Sequence, residues 1–381
     1  MRDGAQRKEL DRFLGRRLGR LAGVAALAGL AWTARDVPLA LGGRLTGVRA
    51  ERAARSPQFR DGAFRNPPDA RPAAAEPARN LVWELLFGKQ KRRPTAAVPL
   101  LRPAAPPAPP AGRELNVIWY GHASALIEIE GRRVLLDPVW SERCSPSAVI
   151  GPRRLHEPPV RLDELPALDA ILISHDHYDH LDLPTVRGLL AGQNAPFVVP
   201  LGVGAHLDRW GVPEERIVEL DWSESHRVGD LTLTATAAQH FSGRGLRRDG
   251  TLWSSWVIAG AQRRAFYTGD SGYFAGYAAI GAEHGPFDVT LMQIGAYDQG
   301  WPNIHMYPEE AVEAHLDLRG GLFIPVHWAT FNLALHDWAE PVDRLWAEAK
   351  ARDIRLAVPR PGERVVVDDP PPVDGWWQAV A

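Results

Sequence analysis

The sequence predicts an α/β protein built from two halves, each beginning with strands and continuing as alternating strands and helices. Short apolar runs bounded by glycine, proline or polar residues have the length and composition of buried strands. Between several of these runs lie segments with the length and the start signals of helices. Histidine and aspartate residues recur directly after such strands, where one rigid scaffold can aim several side chains at one point.

The composition fits a globular chain with a sizeable core, and it limits the chemistry that the chain can carry. Of the 381 residues 45% are apolar, and the formal net charge of −2 gives no general attraction to nucleic acid. The single cysteine, Cys144, rules out an internal disulfide framework and a cysteine-based zinc site. Any metal must therefore be held by histidine and carboxylate side chains.

Residues 1–34 are predicted to form a basic N-terminal region with an apolar helix. The apolar run at residues 21–34 follows several arginines, including the pair Arg16 and Arg17. Its length of about 14 residues is short for a membrane span, which needs about 20. The run suits the core of a signal peptide, a membrane anchor or a helix docked on the domain. The protein is therefore expected either at a membrane, through this segment, or in the cytoplasm.

Residues 35–113 are predicted to be a linker or docking region. Stretches rich in proline and alanine at residues 66–78 and 102–111 favour an extended chain. Between them, residues 81–87 are apolar enough to form a short helix docked on a surface. The compact domain is therefore expected to span residues 114–381.

Within this domain, strands are expected first, with Gly131 turning the chain between the second and the third. Strands are predicted at residues 116–120, 125–130, 133–136, 169–173, 197–200, 231–237, 255–259, 264–267, 287–294 and 322–326. Helices are predicted at residues 184–190, 204–210, 308–316 and 341–350. The third helix has Pro308 at its first position and acidic residues in its first turn, as helix starts commonly do.

The segment of residues 174–182, Ser-His-Asp-His-Tyr-Asp-His-Leu-Asp, organises the candidate site. Its three imidazoles and its carboxylates follow a buried strand, and they are costly to bury without a partner such as a metal. Because His175 and His177 are two positions apart, they project to the same side of an extended segment and can share one ion. Asp179 and His180 follow at once and can serve a second ion.

Three further residues, each after a predicted strand, would complete a site for two metals: His240, Asp270 and His327. His240 would join His175 and His177 on one ion. His327 would join Asp179 and His180 on the other, and the aspartate could bridge both ions. Asp137, after the strand at residues 133–136, could support a neighbouring imidazole from outside the ligand set.

This pattern resembles that of the metallo-β-lactamase fold superfamily. The resemblance covers roughly residues 115–360 and rests on His175-x-His177-x-Asp179-His180, His240, Gly269-Asp270-Ser271-Gly272 and His327. Within the superfamily the chain is similar to N-acyl-phosphatidylethanolamine-hydrolysing phospholipase D and its bacterial relatives. The segments that carry this likeness are residues 119–123, 173–182, 285–288, 294–297, 308–312 and 326–331.

The resemblance implies a metallo-β-lactamase αβ/βα four-layer sandwich with two metal ions at the sheet edges. Zn²⁺ is the usual ion in the family, although Fe or Mn would also accept histidine and aspartate ligands. His305 matches a family position that lines the substrate pocket, and Tyr297 and Trp328 are expected to add apolar surface for acyl chains. The resemblance is also compatible with a homodimer.

The resemblance also implies a metal-dependent hydrolase, and most directly a phosphodiesterase that releases N-acylethanolamine and phosphatidic acid from a phospholipid. A metal-bridged hydroxide would attack phosphorus, and Asp179 would be the catalytic carboxylate that orients it and carries the proton. One alternative is a hydrolase of the same fold for a soluble lactone, ester or phosphodiester. Another is a non-catalytic, membrane-associated metal-binding module. No basic or aromatic stripe near the site indicates nucleic acid as a partner.

Overall fold

The computed structural model describes residues 36–70, 83–84, 88–102, 112 and 114–381. The apolar helix predicted at residues 21–34 lies outside the described residues. Of the short helix predicted at residues 81–87, only Trp83 and Glu84 are described. Within the described ranges, none of the helices combines the length and the apolar character that a membrane crossing requires.

Residues 36–70, here called the N-terminal strap, pack on the domain. The strap falls in the predicted linker or docking region and contains two helices and a hairpin: α1 (Val37–Ala40), α2 (Gly47–Arg55), β1 (Phe59–Arg60) and β2 (Ala63–Phe64). The side chain of Phe64 is almost completely buried in a small cluster with Leu252 and Trp253 of the domain. Burying one such aromatic side chain stabilises the docked state by roughly 1.5–3 kcal/mol, which explains how a short segment stays attached.

The elements of the domain follow in chain order. The strands are β3 (Leu115–Gly121), β4 (Ser124–Ile129), β5 (Arg132–Leu136), β6 (Ala170–Leu172), β7 (Phe197–Pro200), β8 (Ile217–Leu220), β9 (Ser225–Val228), β10 (Leu231–Thr236), β11 (Ser255–Ala259), β12 (Arg264–Tyr267), β13 (Phe287–Gln293), β14 (Gly320–Val326), β15 (Arg355–Leu356) and β16 (Arg364–Val366). The helices are α3 (Leu183–Gly192), α4 (Gly204–Arg209), α5 (Gly276–His284), α6 (Pro308–Asp317) and α7 (Glu340–Ala351).

Two seven-stranded sheets organise these elements in matching ways. The first has the order β16-β3-β4-β5-β6-β7-β8, and the second has the order β15-β14-β13-β12-β11-β10-β9. In the first sheet, three antiparallel pairings are followed by three parallel ones. In the second sheet, counted from β9, three antiparallel pairings are likewise followed by three parallel ones. The predicted α/β architecture of two similar halves is therefore confirmed.

Alternation along the strands explains why the first sheet is covered on both faces. In β4, Ala125 and Ile127 belong to the large core that includes the second sheet, whereas Leu126 belongs to a cluster with α3 and α4. Successive side chains of a strand point to opposite faces, so one apolar run can serve both cores. The second sheet packs against one face of the first, and α3 and α4 pack against the other.

The parallel strands bring several chain segments to one edge of the stacked sheets. The loops after β6, β10, β12 and β14 meet there, since these strands end on the same side of the two sheets. A hydrogen bond of 2.9 Å from Ser254 N to Ser174 O joins the sheets at this edge. The edge is where the predicted ligands converge.

Candidate metal centre

One buried cluster of histidine and aspartate side chains occupies this edge. The seven predicted ligands all belong to groups whose nitrogen or oxygen atoms lie within 4.8 Å of one another: His175, His177, Asp179, His180, His240, Asp270 and His327. His122, which follows β3, and His305 belong to these groups as well. The structure therefore brings together every residue for which the sequence predicts metal binding.

The first group contains His175, His177 and His240. The Nδ1 atom of His177 lies 2.8 Å from Nε2 of His175 and 3.3 Å from Nε2 of His240. Burial lowers the pKa of all three imidazoles and outweighs the nearby carboxylates, which act in the opposite direction. Neutral imidazole is the form that binds a metal, so this group presents three ring nitrogens in the right protonation state.

The second group surrounds Asp179. Its Oδ2 atom lies 2.8 Å from Nε2 of His122, 3.2 Å from Nε2 of His327 and 3.4 Å from Nε2 of His180. Three imidazoles and one carboxylate thus face one another. Such a set matches the ligands that Zn²⁺ takes in proteins.

Asp270 lies between the two groups. Its Oδ2 atom is 3.1 Å from Nε2 of both His180 and His327, and 3.8 Å from Nε2 of both His175 and His240. It therefore occupies the place that the sequence predicts for a residue shared by two ions. Its side chain is only 2% exposed.

The carboxylates of this cluster stay ionised despite their burial. Burial by itself raises the pKa of Asp179 and Asp270, but the surrounding imidazoles outweigh it and hold both pKa values well below the usual range. The same carboxylates overcome the effect of burial on His327 and raise its pKa to about 9. Two buried carboxylates require positive charge beside them, and a metal cation would satisfy that requirement.

Unpaired polar atoms also fit the cluster to a metal. Nε2 of His180 and Oδ1 of Asp270 are buried and have no hydrogen-bond partner among the described residues. Buried polar atoms are nearly always paired, so atoms left alone in the middle of a ligand set indicate that another group binds there. The donor set and these atoms together fit a metal centre.

Hydrogen bonds behind the cluster fix which ring nitrogen faces inward. Asp137 accepts a hydrogen bond from Nδ1 of His180 at 2.7 Å, and it also accepts one from the backbone of Ser174 and one from the hydroxyl of Tyr267. Ile304 O accepts from Nδ1 of His240 at 3.1 Å. Each of these two bonds turns Nε2 of its histidine toward the centre, which is how outer residues commonly orient metal ligands.

The backbone is strained where two of these residues enter the cluster. His122 has a φ of 51° and His327 a φ of 63°, both in the left-handed region that non-glycine residues seldom adopt. His327 N donates to His122 O at 2.8 Å, so the two strained residues hold each other. Strain of this kind costs about 1–3 kcal/mol per residue and is concentrated at functional sites.

His122 is the member of the second group that the sequence analysis did not single out. A lone histidine after a strand has no neighbouring ligand whose spacing would reveal it. Two signals were available: the position of His122 directly after β3, since the predicted metal ligands also follow strands, and its place in residues 119–123, one of the segments that carry the family likeness.

The three residues predicted to bind substrate lie at different distances from the cluster. Nδ1 of His305 is 3.8 Å from Oδ2 of Asp270. Trp328 is 3% exposed, stacks on Trp119 with ring centroids 5.6 Å apart, and lines a small cavity beside His122 and His327. Tyr297 is farther out: it packs on Tyr307 and His336, and its hydroxyl donates to Glu340. Substrate binding by all three stays a prediction.

Replacing Asp137 by asparagine is expected to weaken metal binding by about 10- to 100-fold, because His180 loses the carboxylate that orients it. A competition titration with a chromophoric chelator measures this affinity. Asp169→Asn is the matched control, since Asp169 accepts hydrogen bonds from Arg132 and from the backbone of Arg133 at the opposite end of β5. Equal affinities in the two variants would contradict this role of Asp137.

Comparison with known proteins agrees with this geometry. Residues 132–328 match the family described as "Beta-lactamase superfamily domain". An uncharacterized protein of Mycobacterium bovis is 52% identical over 365 residues, which cover 94% of this chain and 97% of that protein. The N-acyl-phosphatidylethanolamine-hydrolyzing phospholipase D 1 of Caenorhabditis elegans is 36% identical over 252 residues, 63% of this chain and 71% of that protein.

A solved structure is similar in fold. That of a metallo hydrolase from the archaeon Ignicoccus hospitalis superposes with a TM-score of 0.51 at 21% identity, covering 66% of this chain and 97% of that one. The matched family, the pair of sheets and the buried His/Asp cluster lead to one assignment. The chain belongs to the β-lactamase superfamily domain family, and it is a metal-dependent hydrolase of the metallo-β-lactamase fold.

Proposed function

We propose that this chain is a phosphodiesterase that hydrolyses N-acyl-phosphatidylethanolamine to N-acylethanolamine and phosphatidic acid. The observation that carries the reaction type is the pair of ligand groups that meet at Asp270. The 36% identity with the phospholipase of Caenorhabditis elegans supports the substrate. Two Zn²⁺ ions are the proposed cofactors, with Fe or Mn as alternatives, because histidine and aspartate ligands suit all three metals.

The ligands of the two ions would come from the two groups. His175, His177 and His240 would hold one ion, and Asp179, His180 and His327 the other, with Asp270 shared. When bound, such a pair of ions lowers the pKa of water and stabilises negative charge on a phosphoryl group.

Asp179 is the residue proposed to handle the proton. Its side chain is 14% exposed against 2% for Asp270, so Asp179 is the more accessible carboxylate of the cluster. The imidazoles around it outweigh the effect of burial and hold its pKa well below the usual range, so Asp179 is ionised and can accept a hydrogen bond from a water molecule. His122 and His327 hold its Oδ2 atom in place.

His305 is proposed to contact the substrate. It is 13% exposed, and its Nδ1 has no hydrogen-bond partner among the described residues. Burial lowers its pKa to about 4, so the ring is neutral near pH 7 and can donate one hydrogen bond to a phosphoryl or leaving-group oxygen.

The rim beside His177 supports a lipid with an anionic head group. The ring of Phe241 packs on that of His177 with centroids 4.5 Å apart, and the guanidinium of Arg248 lies 5.0 Å above the Phe241 ring. Leu246 in the same loop is fully exposed. An apolar side chain beside arginines suits both the acyl chains and the phosphate of a phospholipid.

The test is to offer the zinc-loaded full chain N-acyl-phosphatidylethanolamine in detergent and to follow the products by mass spectrometry. Wild type is expected to release N-acylethanolamine and phosphatidic acid, and Asp179→Asn to do so about 100-fold more slowly or worse, because it loses the proton acceptor. Asp163→Asn, in an exposed turn where Asp163 pairs with Arg161, is the control and should match wild type.

A wild type that binds zinc but leaves this lipid intact would contradict the proposed substrate. Parallel reactions with a soluble phosphodiester, an ester and a lactone would then show which bond the metal centre cleaves. Equal turnover by Asp179→Asn and wild type would instead contradict the role of Asp179.

A further inference from the structure

The N-terminal strap reaches the metal centre, although it lies outside residues 132–328, which match the family model. Its hairpin is anchored by Phe64, which packs in one cluster with Ala238 and Trp253. Phe64 N also donates to Asp249 O at 2.8 Å. The strap therefore touches the chain on both sides of His240, which follows Ala238 by two positions.

Asn66 makes the direct contact. Its side-chain Nδ2 donates to His240 O at 2.9 Å, and its Oδ1 accepts from His240 N at 2.8 Å. One amide side chain thus pairs with both polar groups of one backbone residue, as a neighbouring strand would. The residue that receives this pairing is a member of the first ligand group.

Trp253 completes the arrangement around the amide. Its indole Nε1 lies 3.1 Å from Oδ1 of Asn66 and donates to Ala238 O at 2.9 Å. The Trp253 side chain is 2% exposed. A fixed indole therefore holds the side-chain oxygen of Asn66 and the backbone just before His240 in one network.

The position of the His240 backbone decides where its ring nitrogen lies. Nδ1 of His240 donates to Ile304 O at 3.1 Å, and Nε2 lies 3.3 Å from Nδ1 of His177. The ring is thus held at one nitrogen and the backbone at both of its polar groups. If the pairing with Asn66 is lost, the backbone can rotate and Nε2 leaves the first ligand group.

We propose that Asn66 is a positioning residue for His240 and that the N-terminal strap thereby contributes to metal binding. This inference rests on the proposed function only in that His240 is taken as a metal ligand. It requires no particular substrate. A strap that merely covered the domain would contribute to stability but not to metal affinity.

The test compares Asn66→Ala with Arg52→Ala, using Zn²⁺ competition against a chromophoric chelator. Arg52 lies in the same strap and pairs with Glu224 at the surface, away from the cluster. Asn66→Ala is expected to bind one of the two zinc ions about tenfold more weakly or worse, and the second ion nearly normally, because outer-sphere contacts typically govern metal affinity to this degree. Arg52→Ala should bind both as wild type does.

A second variant and a spectrum keep this test independent of folding. Asn66→Asp has nearly the same shape and still accepts from His240 N, but it cannot donate to His240 O, so it too should bind one ion more weakly. With Co²⁺ in place of zinc, the visible absorption of both Asn66 variants should differ from wild type, while that of Arg52→Ala should not. The melting temperatures of the metal-free chains show whether each variant is folded.

Folded Asn66 variants that bind zinc with wild-type affinity and give the wild-type Co²⁺ spectrum would overturn the proposal. A wild type that takes up no metal would overturn it together with the proposed function. A wild type that binds two ions but fails on the phospholipid would leave the role of Asn66 intact and contradict only the substrate.

Discussion

Replacing Asp270 by asparagine is expected to lower hydrolysis by about 10⁴-fold or more and to release at least one metal ion from the chain. Asp270 is the residue that lies within 3.8 Å of imidazole nitrogens of both groups. Losing the ions removes several kcal/mol of charge stabilisation in the transition state, and each 1.36 kcal/mol is worth about tenfold in rate. The effect should exceed that of any other single change at the site.

The physical reason is that Asp270 places its negative charge within 3.8 Å of imidazole nitrogens from both groups. In the absence of metal, burial lowers the pKa of His180 and His327, but the Asp270 carboxylate contributes to raising both pKa values above the usual range. An asparagine of the same size would place a neutral amide among five imidazoles. The first and second ligand groups would then have no shared anion to hold two cations close together.

Two measurements check this prediction: metal content by elemental analysis, and the rate at which the chain hydrolyses N-acyl-phosphatidylethanolamine, the proposed substrate. Asp288→Asn is the matched control. Asp288 lies at the start of β13, at the end of the sheet's strands away from the cluster, and accepts a hydrogen bond from Arg264 N at 2.8 Å. It should keep both ions and full activity. An Asp270→Asn chain with two bound ions and wild-type turnover would show that the two groups do not work as one centre.

The clustering of the candidate ligands could be predicted from the sequence because these residues follow strands. A strand that is buried on both faces is an apolar run, and its end is visible as the first polar residues, such as His175 after β6 and His327 after β14. In parallel strands these ends meet at one edge. The order of the strands and the apolar pattern along them were therefore enough to predict that residues distant in sequence lie close together.

The elements that the sequence did not reveal have weak local signals. In β9, Ser-His-Arg-Val, none of the residues is buried, so no apolar run marks the strand. In α5, Gly276 and Gly281 lower the intrinsic helix propensity, and helix formation there depends on packing against the core. Such elements are decided by tertiary contacts rather than by their own composition.

The contacts of the strap are hidden for a different reason. Asn66 and His240 are 174 positions apart, and an asparagine in a proline-rich stretch has the ordinary appearance of a turn residue. The pairing depends on the hairpin that Phe64 anchors, and that anchor depends in turn on Leu252 and Trp253. No pattern in one sequence encodes this chain of contacts.

Replacing Arg244 by methionine is expected to destabilise the chain by about 3 kcal/mol, since three buried carbonyls lose their donor and each unsatisfied group costs about 1–3 kcal/mol. The Arg244 guanidinium donates to Ala40 O at 2.8 Å, to Asp176 O at 2.6 Å and to Leu181 O at 2.8 Å. It thereby ties the strap to the segment that carries four of the predicted ligands.

Arg244 also packs between two aromatic rings. Its Cζ lies 4.0 Å from the ring centroid of Tyr178 and 5.0 Å from that of Trp210. Burial lowers its pKa, while Tyr178 and the carboxylate of Asp176 act in the opposite direction. Methionine can fill much of the same space, so the loss should come from the missing donors and the missing cation–π contacts rather than from a cavity.

Thermal unfolding of the metal-free chain measures the effect, with an expected fall in Tm of roughly 4–5 °C. Arg209→Ala is the matched control, because Arg209 also donates to a carbonyl of the strap, Pro38 O, but does so at the exposed surface. That change should stay within about 0.5 kcal/mol of wild type. If both variants melt together, the strap is held by its apolar contacts alone, and Arg244 does not couple it to the ligand segment.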